Sequence, residues 1–170
     1  MGKKKQGAKG RGSQVDKLLI AAEGGNCRNI KRVLEAGCDV NAYGSLMLTP
    51  RAEPGGNDFA TWIAEEYLSG EPVQYVSVTA LHVAVYYSQE SATGLLLDSG
   101  ADPDAFVGCF SASGFAARFP APSCVLSAAA ARGHIGILRR LLAAGATADP
   151  LHGGRAFLFA CVEGHVECAE

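Results

Sequence analysis

The sequence predicts an all-α fold of helical hairpins stacked side by side in an open-ended array, and three observations predict it. First, the block Thr79–Ala105 (T-A-L-H-V-A-V-Y-Y-S-Q-E-S-A-T-G-L-L-L-D-S-G-A-D-P-D-A) recurs in altered form three more times in the 170-residue chain. Second, small and apolar residues fall in the same slots when the copies are laid over one another. Third, Gly recurs where each helix must stop. Self-similarity at a regular spacing marks a repeat architecture rather than one closed core.

The copies open at Leu18, Leu81, Leu126 and Phe157. Within each, a small or apolar pair (Ala21–Ala22, Ala84–Val85, Ala129–Ala130, Ala160–Cys161) completes a short first helix. That helix breaks at Gly25, Gly133 or Gly164, with Ser88 in the second copy. A second helix follows with apolar residues three and four apart, such as Ile30, Val33 and Leu34, or Ile137, Leu138, Leu141 and Leu142. Gly37, Gly100 and Gly145 then end it in the left-handed conformation that Gly adopts without strain.

Thr79, Leu81, His82, Ala84, Leu96, Leu97, Gly100, Ala101 and Asp102 resemble the ankyrin repeat, whose T-P-L-H-x-A signature heads a unit of about 33 residues. Gly133, His134 and Gly145 carry the likeness into the third copy. The resemblance implies an ankyrin-like helical-hairpin solenoid with β-turn or finger loops, about 3.5 repeats plus two insertions. Departures are Ala80 for the usual Pro, Ser127 and Leu158 for His, and Ser88–Gln89 for Gly-His. These are expected to weaken capping and inter-repeat hydrogen bonding.

Spacing between the opening residues is 63, 45 and 31 residues. The chain therefore divides into a basic tail (1–14), a first repeat (15–43), an insertion or degenerate repeat (44–78), and a second repeat (79–105). An aromatic loop (106–122), a third repeat (123–150) and a truncated fourth (151–170) complete it. In the first insertion Asp58–Leu68 reads as an amphipathic helix with Phe59, Trp62, Ile63 and Tyr67 on one face. Val73–Val78 is β-prone, but its alternation slips between Tyr75 and Val76, which predicts an extended finger arm rather than a clean strand. The second insertion holds Phe106, Phe110, Phe115 and Phe119, to be read either as a contact surface or as rings folded onto neighbouring helices.

Charge is uneven. Lys3, Lys4, Lys5, Lys9 and Arg11 give the tail +5, and the other residues carry −7. The tail is expected to be disordered, and it could touch phosphates, anionic lipid or an import receptor, or simply be solvated. Gln6 argues against N-myristoylation, which wants Ser or Thr there. No apolar run is long enough to span a membrane, and no secretory signal is visible. Of six Cys, four fall in small apolar slots (Cys38, Cys124, Cys161, Cys168) and two, Cys27 and Cys109, read as free thiols. A reduced, cytoplasmic or nuclear setting is the expectation.

Catalytic and metal motifs do not hold together. Cys161, His165 and Cys168 form C-x₃-H-x₂-C, but the repeat template assigns all three to packed positions. Ser127, His134 and Asp149 lack a nucleophile elbow, and Gly7–Gly12 lacks the order of a phosphate loop. The expectation is a non-enzymatic protein-interaction module without cofactor. The positions after each small pair and at the turn tips should face a protein partner: Glu23, Asn41, Tyr43, Tyr86, Tyr87, Asp104, Arg132 and Asp149. Tyr86–Tyr87 is the expected energetic centre, because interface hot spots are rich in Tyr. The alternatives are a nucleic-acid or ribosome adaptor acting through the tail, and the targeting part of a larger enzyme. A monomer is expected unless the C-terminal end associates, with Gly153–Glu170 the most mobile folded part.

Overall fold

The computed structural model describes residues 13–47, 73–105, 108–111, 124–147, 156–158, 160–161 and 164–169. The tail up to residue 12, the helix expected at Asp58–Leu68, most of the aromatic loop, and Asp149 lie outside them.

Helices α1 (Gln14–Glu23) and α2 (Cys27–Glu35) form the first hairpin, α3 (Ala80–Tyr86) and α4 (Glu90–Asp98) the second, α5 (Val125–Ala131) and α6 (Ile135–Ala143) the third. Helical residues 156–158 and 160–161 lead to α7 (Val166–Ala169). The molecule is mostly helical. The first helices run in file, α1 against α3 and α3 against α5, and so do the second helices α2, α4 and α6. Helix α1 therefore packs directly on α3, although residues 48–72 lie between them in sequence.

Turn chemistry explains why the hairpins agree. After each first helix one N–H folds back to a carbonyl five residues earlier. The pairs are Asn26 to Ala21, Gln89 to Ala84, His134 to Ala129 and His165 to Ala160, at 2.7 to 3.0 Å. The residue before each must be left-handed, and Gly25, Gly133 and Gly164 are (φ 63°, 68° and 76°). Second helices close the same way, with Cys38 N–H to Val33 O, Ala101 to Leu96 and Ala146 to Leu141. These bonds satisfy carbonyls that a helix end otherwise leaves unpaired.

A capping box opens α3. Thr79 Oγ1 lies 2.9 Å from His82 Nδ1, and the Thr79 N–H points to the same nitrogen at 3.4 Å. Both residues are buried, so the pairing removes the cost of burying them unmatched. At the equivalent place before α5, Cys124 Sγ and Ser127 Oγ lie 3.2 Å apart. Leu18, Leu81 and Leu126 are all buried in one continuous core, as equivalent layers require. One polar atom in it, Thr93 Oγ1, has no hydrogen-bond partner among the described residues, and its slot is filled by Ile30 and Leu138 in the neighbouring copies.

The fold is not purely α. Strands β1 (Gly44–Met47), β2 (Val73–Val78) and β3 (Gly108–Ser111) make an antiparallel sheet in that order. Gly44 pairs with Val78, Met47 with Tyr75, Val76 with Cys109 and Tyr75 with Phe110. Val73–Val78 is thus a strand after all, its irregularity a bulge between Val73 and Tyr75. At Tyr75–Val76, where the alternation slips in the sequence, the pairing with both neighbours stays in register. Arms of both insertions pair through β2. Gly44 anchors the sheet, since a Cβ there would come within 2.5 Å of Leu19 Cδ1 on α1.

Candidate partner-binding face

Two polar ladders run along the file of turns. In the first, Gln89 Nε2 donates to the Glu23 carbonyl at 2.9 Å, linking the second hairpin to the first. His134 Nε2 meets Ser88 Oγ at 2.5 Å, linking the third to the second, and the His165 ring lies against Gly133. The Ser88–Gln89 substitution therefore does not weaken inter-repeat bonding, contrary to the sequence reading. Ser88 accepts a left-handed backbone (φ 59°) and supplies a hydroxyl that Gly lacks. Neither residue stood out in the sequence as a contact, and the only available signal was its offset from the Gly-His pair.

The second ladder ties the turn tips. Asn41 Nδ2 donates to the Gly100 carbonyl (3.1 Å), and Asn41 Oδ1 accepts from the Asp102 N–H (2.7 Å). One copy along, Asp104 accepts from the Thr147 N–H (2.7 Å) and the Thr147 hydroxyl. Asn41 and Asp104 were expected to face a partner. In the structure both join one hairpin to the next, because their slot lies over the following turn.

Tyr86 also departs from expectation. It is only 1 % exposed, not outward-facing, although it closes α3 two positions after Ala84. The Arg132 guanidinium sits 4.8 Å from its ring centroid, and the Tyr87 ring packs edge-on at 5.2 Å. A cation over a ring face and an edge-to-face pair both use the negative ring face, and together they hold the phenol inward. Tyr87 and Arg132 are half-buried around it, Glu23 is exposed at the end of α1, and Tyr43 is exposed just before β1. The structure thus groups Tyr86, Tyr87, Arg132, Ser88 and His134 on one ridge. Glu23 and Tyr43 stand nearer the first hairpin.

Charge on the ridge is cationic where it meets His134. Burial holds that imidazole below the ordinary histidine range, and the nearby Arg132 and His165 push in the same direction. Cys38 and Cys168 are raised, first by burial and then by Asp39 and Glu167 respectively, which disfavours their thiolates. Cys161, expected to be packed, is exposed. Among the described residues no group of three or more His, Cys, Asp and Glu is placed to hold a metal ion, and no helix is long and apolar enough to cross a membrane.

Residues 78–106 match the family model described as ankyrin repeat. That segment contains the Thr79–His82 box, both helices of the second hairpin, and the Asp104 tip. Ankyrin repeats are typically non-enzymatic protein-interaction modules. A search of curated proteins finds no match to the chain.

Proposed function

We propose that the chain is an ankyrin-type solenoid of about 3.5 repeats, acting as a scaffold that holds a protein partner on its turn-and-first-helix face. The observation that carries the reading is the agreement between the ankyrin match at 78–106 and the turn closures repeated in the flanking hairpins. Stacked repeats present extended concave surfaces. Here the surface has Tyr87 and Arg132 at its middle, Tyr43 and Glu23 toward the first hairpin, and the sheet β1–β2–β3 as its rim. Tyr86 acts beneath it as a support. An aromatic held from below by a packed ring loses little freedom on binding, which favours it as an anchor.

A photo-crosslinking amino acid at position 87 or 43 should capture the same partner, whereas one at the exposed Lys31 of α2 should not. With that partner purified, Tyr87→Ala should weaken binding by about 2 kcal/mol, while the melting temperature falls only by what the lost edge-on contact with Tyr86 contributes, about 1 kcal/mol. Capture from position 31 alone would move the partner to the second-helix side and end this reading.

A further inference from the structure

Arg132 is charged, half-buried and, among the described residues, without a carboxylate. The one ion pair there is Arg140–Glu90 at 3.2 Å, between exposed side chains of the second helices. Arg132 sits in the file of turns at the end of α5, its guanidinium 4.8 Å from the centroid of the buried Tyr86 ring. A ring face attracts the cation but engages only one side of the guanidinium plane. The N–H groups lie in that plane and point outward along its edges, in a fork that fits a carboxylate. None of them meets an acceptor among the described residues. A charge drawn partly out of water gains most from a pairing of that kind.

The same file carries the opposite charge at its other end. Glu23 is exposed at the end of α1; Gln89 bonds its backbone carbonyl, and its carboxylate has no ion pair among the described residues. Tyr87 closes the helix on the hairpin between them. His134 adds no second cation at neutral pH, because burial, and then Arg132 and His165, hold its imidazole below the ordinary range. The ridge therefore runs acid, aromatic, base in hairpin order, and that polarity fixes the direction in which a partner can cross it. We propose that the partner lays a short extended segment along the ridge, an Asp or Glu carboxylate on the Arg132 fork, an apolar residue against Tyr87, and a Lys or Arg over Glu23. One to two helix spacings of about 8–10 Å separate the two charges, which an extended chain covers in about three to six residues. This rests on the partner-binding face proposed above and adds the charge order of its occupant.

A library of random peptides displayed on phage, selected against the immobilised full chain, tests it. Enriched peptides should carry an acidic and a basic residue in one fixed order at that separation. Synthesised, such a peptide should bind Arg132→Gln roughly tenfold more weakly than wild type, the worth of one charge-assisted pair, and Glu23→Gln roughly threefold more weakly. A peptide whose acidic residue is exchanged for Lys should bind wild type poorly and regain affinity on Arg132→Glu, which a merely structural role for Arg132 would not produce. Circular dichroism checks the fold of each variant. Should Arg132→Glu lose it with the Tyr86 contact, Glu23→Lys against a peptide carrying Glu in place of its basic residue makes the same exchange at the exposed end. Enriched peptides without a fixed charge order, or ones that lose affinity with Tyr87→Ala but not with Arg132→Gln, overturn this inference and leave the face standing. Peptides indifferent to both substitutions, or a library in which nothing is enriched, overturn both.

Discussion

The second and third hairpins are the same backbone assembled from different chemistry. Before α3 the helix start is closed by Thr79 and a fully buried imidazole, and before α5 by a thiol and a hydroxyl. At the following turn the second hairpin uses Ser88 and Gln89 where the third uses Gly133 and His134, yet both fold back with equivalent bonds. The lesson is that the fold demands a donor or acceptor at a place, and the residue type supplying it can change. What does change is how much each site contributes.

Removing the larger partner sharpens that difference most. His82→Ala deletes a buried ring, opens a cavity between α3 and its neighbours, and strips Thr79 of its partner, at a cost of about 2–4 kcal/mol. Ser127→Ala removes one oxygen whose partner is a weakly bonding sulfur, and should cost about 1 kcal/mol or less. Urea unfolding of both variants measures the gap. Equal losses would mean that the two boxes are energetically interchangeable.

The tip ladder allows a finer comparison. Asn41 must both accept and donate, because its neighbours are an N–H and a carbonyl. Asp104 only accepts, because Thr147 offers an N–H and a hydroxyl. Asp104→Ala should destabilise by about 1–2 kcal/mol, since hydrogen bonds to a charged group are the stronger kind. Asp104→Asn, which copies the first hairpin, should lose about 0.5 kcal/mol, because an amide still accepts the N–H and the Thr147 hydroxyl can turn to accept. Thermal unfolding at neutral pH separates the two. An Asn variant as damaged as the Ala variant would show that the carboxylate charge, not the geometry, holds the tip.

These contrasts explain what could be read from the sequence. The apolar slots and left-handed glycines repeat along the chain, so the hairpins, the box at Thr79–His82 and the buried Leu18, Leu81 and Leu126 were legible. The sheet was not. β1 and β3 are four-residue strands, and each pairs with a β2 that lies more than 20 residues away in sequence, β3 across the whole second hairpin, which no local window contains. The surroundings of three expected site residues were not legible for the same reason. Tyr86, Asn41 and Asp104 occupy positions that one isolated repeat would expose, and it is the neighbouring repeat that covers or bonds them. Thr93 sits where its neighbours place Ile30 and Leu138, a mismatch visible in the alignment of copies, but that its hydroxyl has no partner among the described residues only the structure reveals.

The smallest effect sought is a pH dependence, and it contrasts the two turn ladders directly. Gln89 cannot titrate, whereas His134 in the same slot can. Burial holds His134 below the ordinary histidine range, with Arg132 and His165 adding repulsion. The unfolded chain therefore takes up this proton at higher pH than the folded one. Stability contributed here is full above the unfolded value near 6.5. It falls as pH drops below that value, until the folded imidazole also protonates and the slope vanishes. His134→Gln, which transplants the chemistry of the second hairpin into the third, should flatten this part of the curve while leaving the neutral-pH stability close to wild type. Urea midpoints at several pH values from neutral into the acid range test it. If wild type and variant lose stability in parallel, the acid sensitivity belongs to other groups, and the two ladders differ in composition without differing in response to protons.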